Sequence, residues 1–140
     1  MKILLAVDDS EVGAAVVKQA AKLVKALNGN STLYLLYVNP RLSRAAEKEF
    51  GAAGPGRYYD KQAEAALAKI RPLVKRAKLE VQELRAIGIP EQSIVDEAKA
   101  AKADLIIMGS HGKGALKSLL IGSVAQKVIA SSKVPVLVVH

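Results

Sequence analysis

The sequence predicts an α/β domain built on an open parallel sheet with helices on both faces. Three observations lead there. Short apolar runs are nearly continuous rather than alternating, as in strands buried on both sides. The stretches between them carry apolar residues at helical spacing. The two kinds of segment alternate as βαβαβαβαβ, which implies parallel strands joined by right-handed crossovers. A chain of 140 residues is expected to form one domain, residues 1–140, with a single core.

The first strand runs from Ile3 to Val7. Ser10 is a good N-cap for a helix carrying Val12, Val16, Ala20, Leu23, Val24 and Leu27, which stops at Asn28-Gly29. The second strand runs from Leu33 to Val38. From Asn39 to Arg57 the pattern is irregular, with Gly51, Gly54, Pro55 and Gly56 near its end, and reads as a loop. A second helix is expected from Tyr58 to Lys78, with Ala65, Ala66, Leu67, Ile70, Leu73 and Val74 as its apolar stripe; Pro72 should kink or break it.

Val81 to Ile87 is a weaker strand whose Gln82, Glu83 and Arg85 suit a sheet edge. Pro90 opens a third helix carrying Ile94, Val95, Ala98 and Ala101. The fourth strand runs from Leu105 to Met108, and a final helix from Ser123 to Ser132. Val134-Pro135 begins the last strand, through Val139. Pro135 cannot donate to a ladder, so this strand belongs at an edge or pairs only after its first residues.

Composition narrows the function. There is no Cys, which excludes disulfides, thiolate metal sites and Cys nucleophiles, and fits a cytoplasmic setting. The opening apolar run is too short for a signal peptide, and nothing approaches a membrane span. The net charge is +8, concentrated from Arg41 to Lys78, where ten basic residues face four acidic ones. Tyr58 and Tyr59 lie among those charges, and no nucleic-acid motif accompanies them. A solvated face is the expected reading, not a nucleic-acid site.

In open α/β sheets, ligands bind beyond the carboxyl ends of the strands. The first strand ends there in Asp8-Asp9. The fourth ends in Met108-Gly109-Ser110-His111-Gly112-Lys113-Gly114, whose glycines are expected to allow positive φ and close approach to a ligand. Gly122-Ser123 opens the last helix, where free N–H groups and the helix dipole favour an anion. Together these could cradle a polyphosphate. The segment is not a Walker A loop, because Ala115-Leu116 stand where Lys-Ser/Thr would be, and it is not G-x-G-x-x-G.

The spacing Gly109-x2-Gly112-x9-Gly122-Ser123 resembles the G-x2-G-x9-G-(S/T) signature of ATP-binding universal stress proteins. The opening from Ile3 to Glu11, the segment Gly88-Ile89-Pro90…Ile94…Ala98 and the closing Val134 to Val139 resemble that family too. The resemblance implies sheet order 3-2-1-4-5, an adenine nucleotide between strands one and four, and a homodimer paired through the last strands. Carried over by position, Asp8 would bond the ribose or adenine side, with Ala6 and Val7 lining the adenine. Val38 would contact the base through its backbone, and Met108 and Gly109 would flank the ribose. Gly112, Gly122, Ser123 and Val124 would hold the phosphates, with Ser110, His111 and Ala125 beside them. Asp9 departs from a commonly small residue, and Ala125 from a frequent Ser or Thr.

Three functions follow as expectations: a dimeric ATP-binding sensing or regulatory module of the stress response, a slow ATPase or autophosphorylating enzyme with Ser110 or Ser123 near the γ-phosphate, and a basic interaction protein working without nucleotide. His111 has no base-activating partner fixed by spacing, so hydrolysis is expected to be weak. Asp8 and Asp9 with the phosphates could share Mg²⁺ or Mn²⁺, which prefer oxygen ligands.

Overall fold

The computed structural model describes residues 1–52, 54–112 and 121–140. Five parallel strands form one sheet: β1 (Lys2–Val7), β2 (Thr32–Pro40), β3 (Val81–Gly88), β4 (Leu105–Gly109) and β5 (Val136–Val139). Their order is β3-β2-β1-β4-β5, as the resemblance implied. The central strand β1 registers Ile3 against Leu33 on one side and Leu105 on the other.

Period-two geometry sends alternate residues of β1 into two cores. Ile3, Leu5 and Val7 pack under α1 (Val12–Ala26) and α3 (Gly54–Arg76), against Val16, Leu67 and Ile70. Leu4 and Ala6 face α4 (Pro90–Ala100) and α5 (Ser123–Ser131), against Ile94, Ala98 and Val128. Both faces of the sheet are thus covered. The apolar runs read as continuous because each residue is buried on one side or the other.

Several expectations are corrected. The stretch read as a loop contains α2 (Arg44–Glu49) and the first turn of α3. Ser43 caps α2 by accepting the Ala46 N–H at 3.2 Å. At six residues α2 is too short to show helical periodicity, and it buries no residue. Ser10 does not cap α1: its N–H (3.0 Å) and its hydroxyl both donate to Asp8 Oδ1, and the helix starts one turn-residue later at Val12. Pro72 does not break α3, which stays one helix through Arg76; the ring is on its exposed side. The last strand begins at Val136, not Val134, although the Pro135 carbonyl still accepts the Ile106 N–H at 2.9 Å. It is an edge strand, and so is β3, as expected for each.

Candidate functional site

The carboxyl ends of β1, β2 and β4 open into a cleft of about 620 Å³, within the size of small-molecule sites. All the candidate residues line it: Ala6, Val7, Asp8, Val38, Met108, Gly109, Ser110, His111, Gly112, Gly122, Ser123, Val124 and Ala125. Lys113 and Gly114 lie outside the described residues. Asp9, Tyr37 and Ile94 line the same cleft.

One end of the cleft is a tightly built backbone corner. Ser110 continues β4 by donating its N–H to the Val139 carbonyl at 2.7 Å. The Ser110 carbonyl then accepts the Gly122 N–H at 2.6 Å, which holds the start of α5 against the end of β4. A Cβ on Gly122 would stand 3.2 Å from that carbonyl and 3.5 Å from His111 Cα. A Cβ on Gly109 would meet Val12 Cγ1 at 2.6 Å, and one on Gly112 would meet Asp8 Oδ2 at 2.9 Å. Gly109 and Gly112 do not adopt positive φ, contrary to expectation, and Gly114 lies outside the described residues; the described glycines that do are Gly29 and Gly51, in turns elsewhere. What Gly109, Gly112 and Gly122 supply is space.

Gly122 sits at the N-cap of α5 in an extended conformation, with φ −72° and ψ 161°. The first intrahelical bond there is Gln126 N–H to the Gly122 carbonyl, at 3.0 Å. The N–H groups of Ser123, Val124 and Ala125 therefore have no intrahelical acceptor, and the positive end of the helix dipole meets the cleft. An anion suits this end.

The other walls are apolar. Ala6, Val7, Leu36, Val38, Ile94 and Met108 form a slot floored by the sheet. Between slot and corner stands Asp8, whose Oδ1 is held by Ser10 and whose Oδ2 faces Gly112. Ser110, 1% exposed, places its hydroxyl 2.9 Å from His111 Nδ1, a contact that the spacing did not reveal. Asp9 pairs loosely with the exposed Lys69, at 3.8 Å, and is itself half-buried. No group of three or more candidate metal ligands forms among the described residues.

Sequence reasoning missed the lip contributed by Asn39, Pro40, Arg41, Leu42, Tyr58 and Gln62. Asn39 to Leu42 carry no periodic signal, and the stripe that marks the helix of Tyr58 and Gln62 does not tell that it folds over the end of β2. The basic segment is not uniformly free. Arg71 forks between Glu64 and Glu83 (Nε to Glu83 Oε1, 2.7 Å), and Arg85 reaches Glu64 at 2.8 Å, tying α3 to β3. The hydrogen bonds from Arg71 and Arg85 hold the Glu64 carboxyl down to about 2.

The family model of universal stress proteins matches residues 1–140. Universal stress protein MJ0531 of Methanocaldococcus jannaschii is 31% identical over 139 residues, 99% of this chain and 81% of that one. The solved structure of MJ0577, from the same organism, superposes with a TM-score of 0.74 at 34% identity, covering 99% of this chain and 94% of that one. A universal stress protein solved in complex with cAMP superposes with a TM-score of 0.68 at 25% identity, covering all of this chain and 96% of that one. The chain belongs to the universal stress protein family.

Proposed function

We propose that the chain binds an adenine nucleotide, with ATP as the ligand the cleft suits best, and acts as a dimeric sensing or regulatory module in the cytoplasm. The observation that carries this reading is the polarity of the cleft: an apolar slot at one end, three unpaired helix N–H groups at the other, and a carboxylate between them. Adenine would lie between Ala6, Val7, Val38 and Met108. Burying about 100 Å² of base there is worth about 3 kcal/mol. Asp8 would accept from the ribose hydroxyls or the base. Gly112, Gly122, Ser123 and Val124 would hold the phosphates, with Ser110, His111 and Ala125 beside them. The relative solved with cAMP supports an adenine nucleotide as the ligand class.

Each residue has a physical task in this reading. The missing Cβ atoms let phosphate oxygens reach backbone N–H groups that already point at them, so little reorganisation opposes binding. Asp8 is fixed by Ser10 before the ligand arrives. Two carboxylates near the mouth, Asp8 and Asp9, would recruit Mg²⁺ or Mn²⁺ only together with the phosphate oxygens. The apolar β5 edge, half-buried in the single chain, contrasts with the charged β3 edge and supports pairing of Val136–Val139 with a second copy.

Heat-denaturing freshly purified protein and identifying the released nucleotide by chromatography and mass tests the reading. Near-stoichiometric ATP is expected. Release of no nucleotide, with no uptake of added ATP, overturns it. The Ser110–His111 hydrogen bond supports a second reading, slow hydrolysis of the bound nucleotide. That reading expects turnover lost in His111→Ala with ATP binding retained.

A further inference from the structure

Residues 39–42 leave β2, which lies two strands and therefore about 10 Å from β4 and its glycine corner. They form the far lip of the cleft, with Arg41 and Leu42 lining it. On one side this lip is pinned to the sheet, since Arg41 N–H donates to the Gly88 carbonyl at 3.3 Å. On the other side it is held by a single residue of α3. The Tyr59 carbonyl accepts from Asn39 Nδ2 at 3.2 Å, and the Tyr59 hydroxyl accepts the Leu42 N–H at 2.9 Å. The same hydroxyl donates to Glu47 Oε1 at 2.8 Å.

The phenol accepts the Leu42 N–H and donates to Glu47 at once, which a Phe ring in its place could not do. The residue is 5% exposed, and its hydroxyl reaches two part-buried partners. Burial first, and then the Glu47 carboxylate, raise the Tyr59 hydroxyl above its ordinary value, so it keeps its proton at any physiological pH. Tyr58, the preceding residue, lines the cleft and packs on Phe50 at the end of α2, with ring centres 5.3 Å apart. Helix α2 buries no side chain of its own. Its placement is set from α3, by Glu47 on Tyr59 and by Phe50 on Tyr58.

We propose that Tyr59, through its hydrogen bonds to Leu42 and Glu47, is the positioning residue that fixes residues 39–42 against the base of the bound nucleotide and so sets discrimination between adenine and other bases. The assignment rests on the adenine-nucleotide reading of the cleft. On that reading the base edge would meet backbone at the end of β2, and a purine would be distinguished there only if that backbone keeps one geometry. The glycine corner, two strands away, holds phosphate without help from Tyr59.

Tyr59→Phe keeps the ring and removes both hydroxyl bonds; Glu47→Ala, on an exposed helix, removes one and leaves the core intact. ATP, GTP and inorganic tripolyphosphate are titrated calorimetrically into wild type and both variants. In Tyr59→Phe, ATP affinity is expected to fall about tenfold and the ATP-to-GTP preference to shrink, with tripolyphosphate affinity held within about twofold. Glu47→Ala is expected to move the same way by less. An unchanged ATP-to-GTP ratio in both variants overturns the assignment. So does an equal loss for all three ligands, which would mean that Tyr59 only supports the fold. Wild type that binds tripolyphosphate and GTP as well as ATP overturns base selection by this lip, whereas wild type that binds none of them removes the nucleotide reading itself.

Discussion

A single added methyl group should separate the glycines of the cleft by their neighbours. On Gly112 a Cβ would meet the end of the Asp8 side chain, which can swing aside; on Gly122 it would meet backbone, which cannot. Gly112→Ala is therefore expected to fold at a cost of about 1 kcal/mol, as Asp8 gives up its bonds from Ser10, and to weaken ATP binding, because Asp8 moves from its place. Gly122→Val is expected to cost about 1–3 kcal/mol in urea denaturation and to abolish ATP binding by calorimetry. Glu64 makes a different prediction. Its folded-state value of about 2 lies below its ordinary 4.5, so the stability it supplies is present above 4.5 and is lost as pH falls toward 2. Thermal melts of Glu64→Gln should fall less between pH 5 and pH 3 than those of wild type, and raised salt should narrow the difference, since the pair is exposed. The sequence marked Gly109, Gly112 and Gly122 by spacing, but at Gly109 and Gly112 it suggested positive φ where the structure uses the absence of a Cβ. Spacing identifies a glycine; only its neighbours tell which of its two physical advantages is in use.

At the scale of elements, α3 carries the largest helical share of one core, and its Leu67 is fully buried. Leu67→Ala is expected to cost about 2–5 kcal/mol by chemical denaturation. Pro72, exposed in the same helix, lacks the N–H its turn requires, so Pro72→Ala should raise the melting temperature by about 3 °C or more. The strands were legible because a parallel sheet covered on both faces leaves uninterrupted apolar runs, and the long helices were legible from their stripes. Helix α2 was not, because its six residues bury nothing and make no stripe. The start of α1 was misread for a related reason. Ser10 is an N-cap by type, but an adjacent Asp8 carboxylate competes for its N–H and hydroxyl and wins with a charge-assisted bond. Local propensity cannot weigh that competition, which depends on where β1 ends.

At the scale of the whole molecule, the fold brings the ends of three strands and the start of one helix to a single cleft, and all the site residues proposed from sequence line it. The glycine corner was legible because its glycines keep a fixed spacing. The far lip was not, because Arg41 and Leu42 come from a stretch without period and Tyr58 and Gln62 reach it only through the tertiary packing of α3. The basic excess is partly spent inside the molecule, on the Arg71 and Arg85 pairs that join α3 to β3. A bound nucleotide should stabilise the whole fold by mass action, by about 2.7 kcal/mol at a hundredfold excess over its dissociation constant. The central claim is that this cleft holds an adenine nucleotide, and equilibrium dialysis against labelled ATP tests it most directly. Wild type should retain about one ATP per chain, displaced by unlabelled ATP and lost in Gly122→Val. Retention of no label by wild type, or undiminished retention by Gly122→Val, would contradict the account.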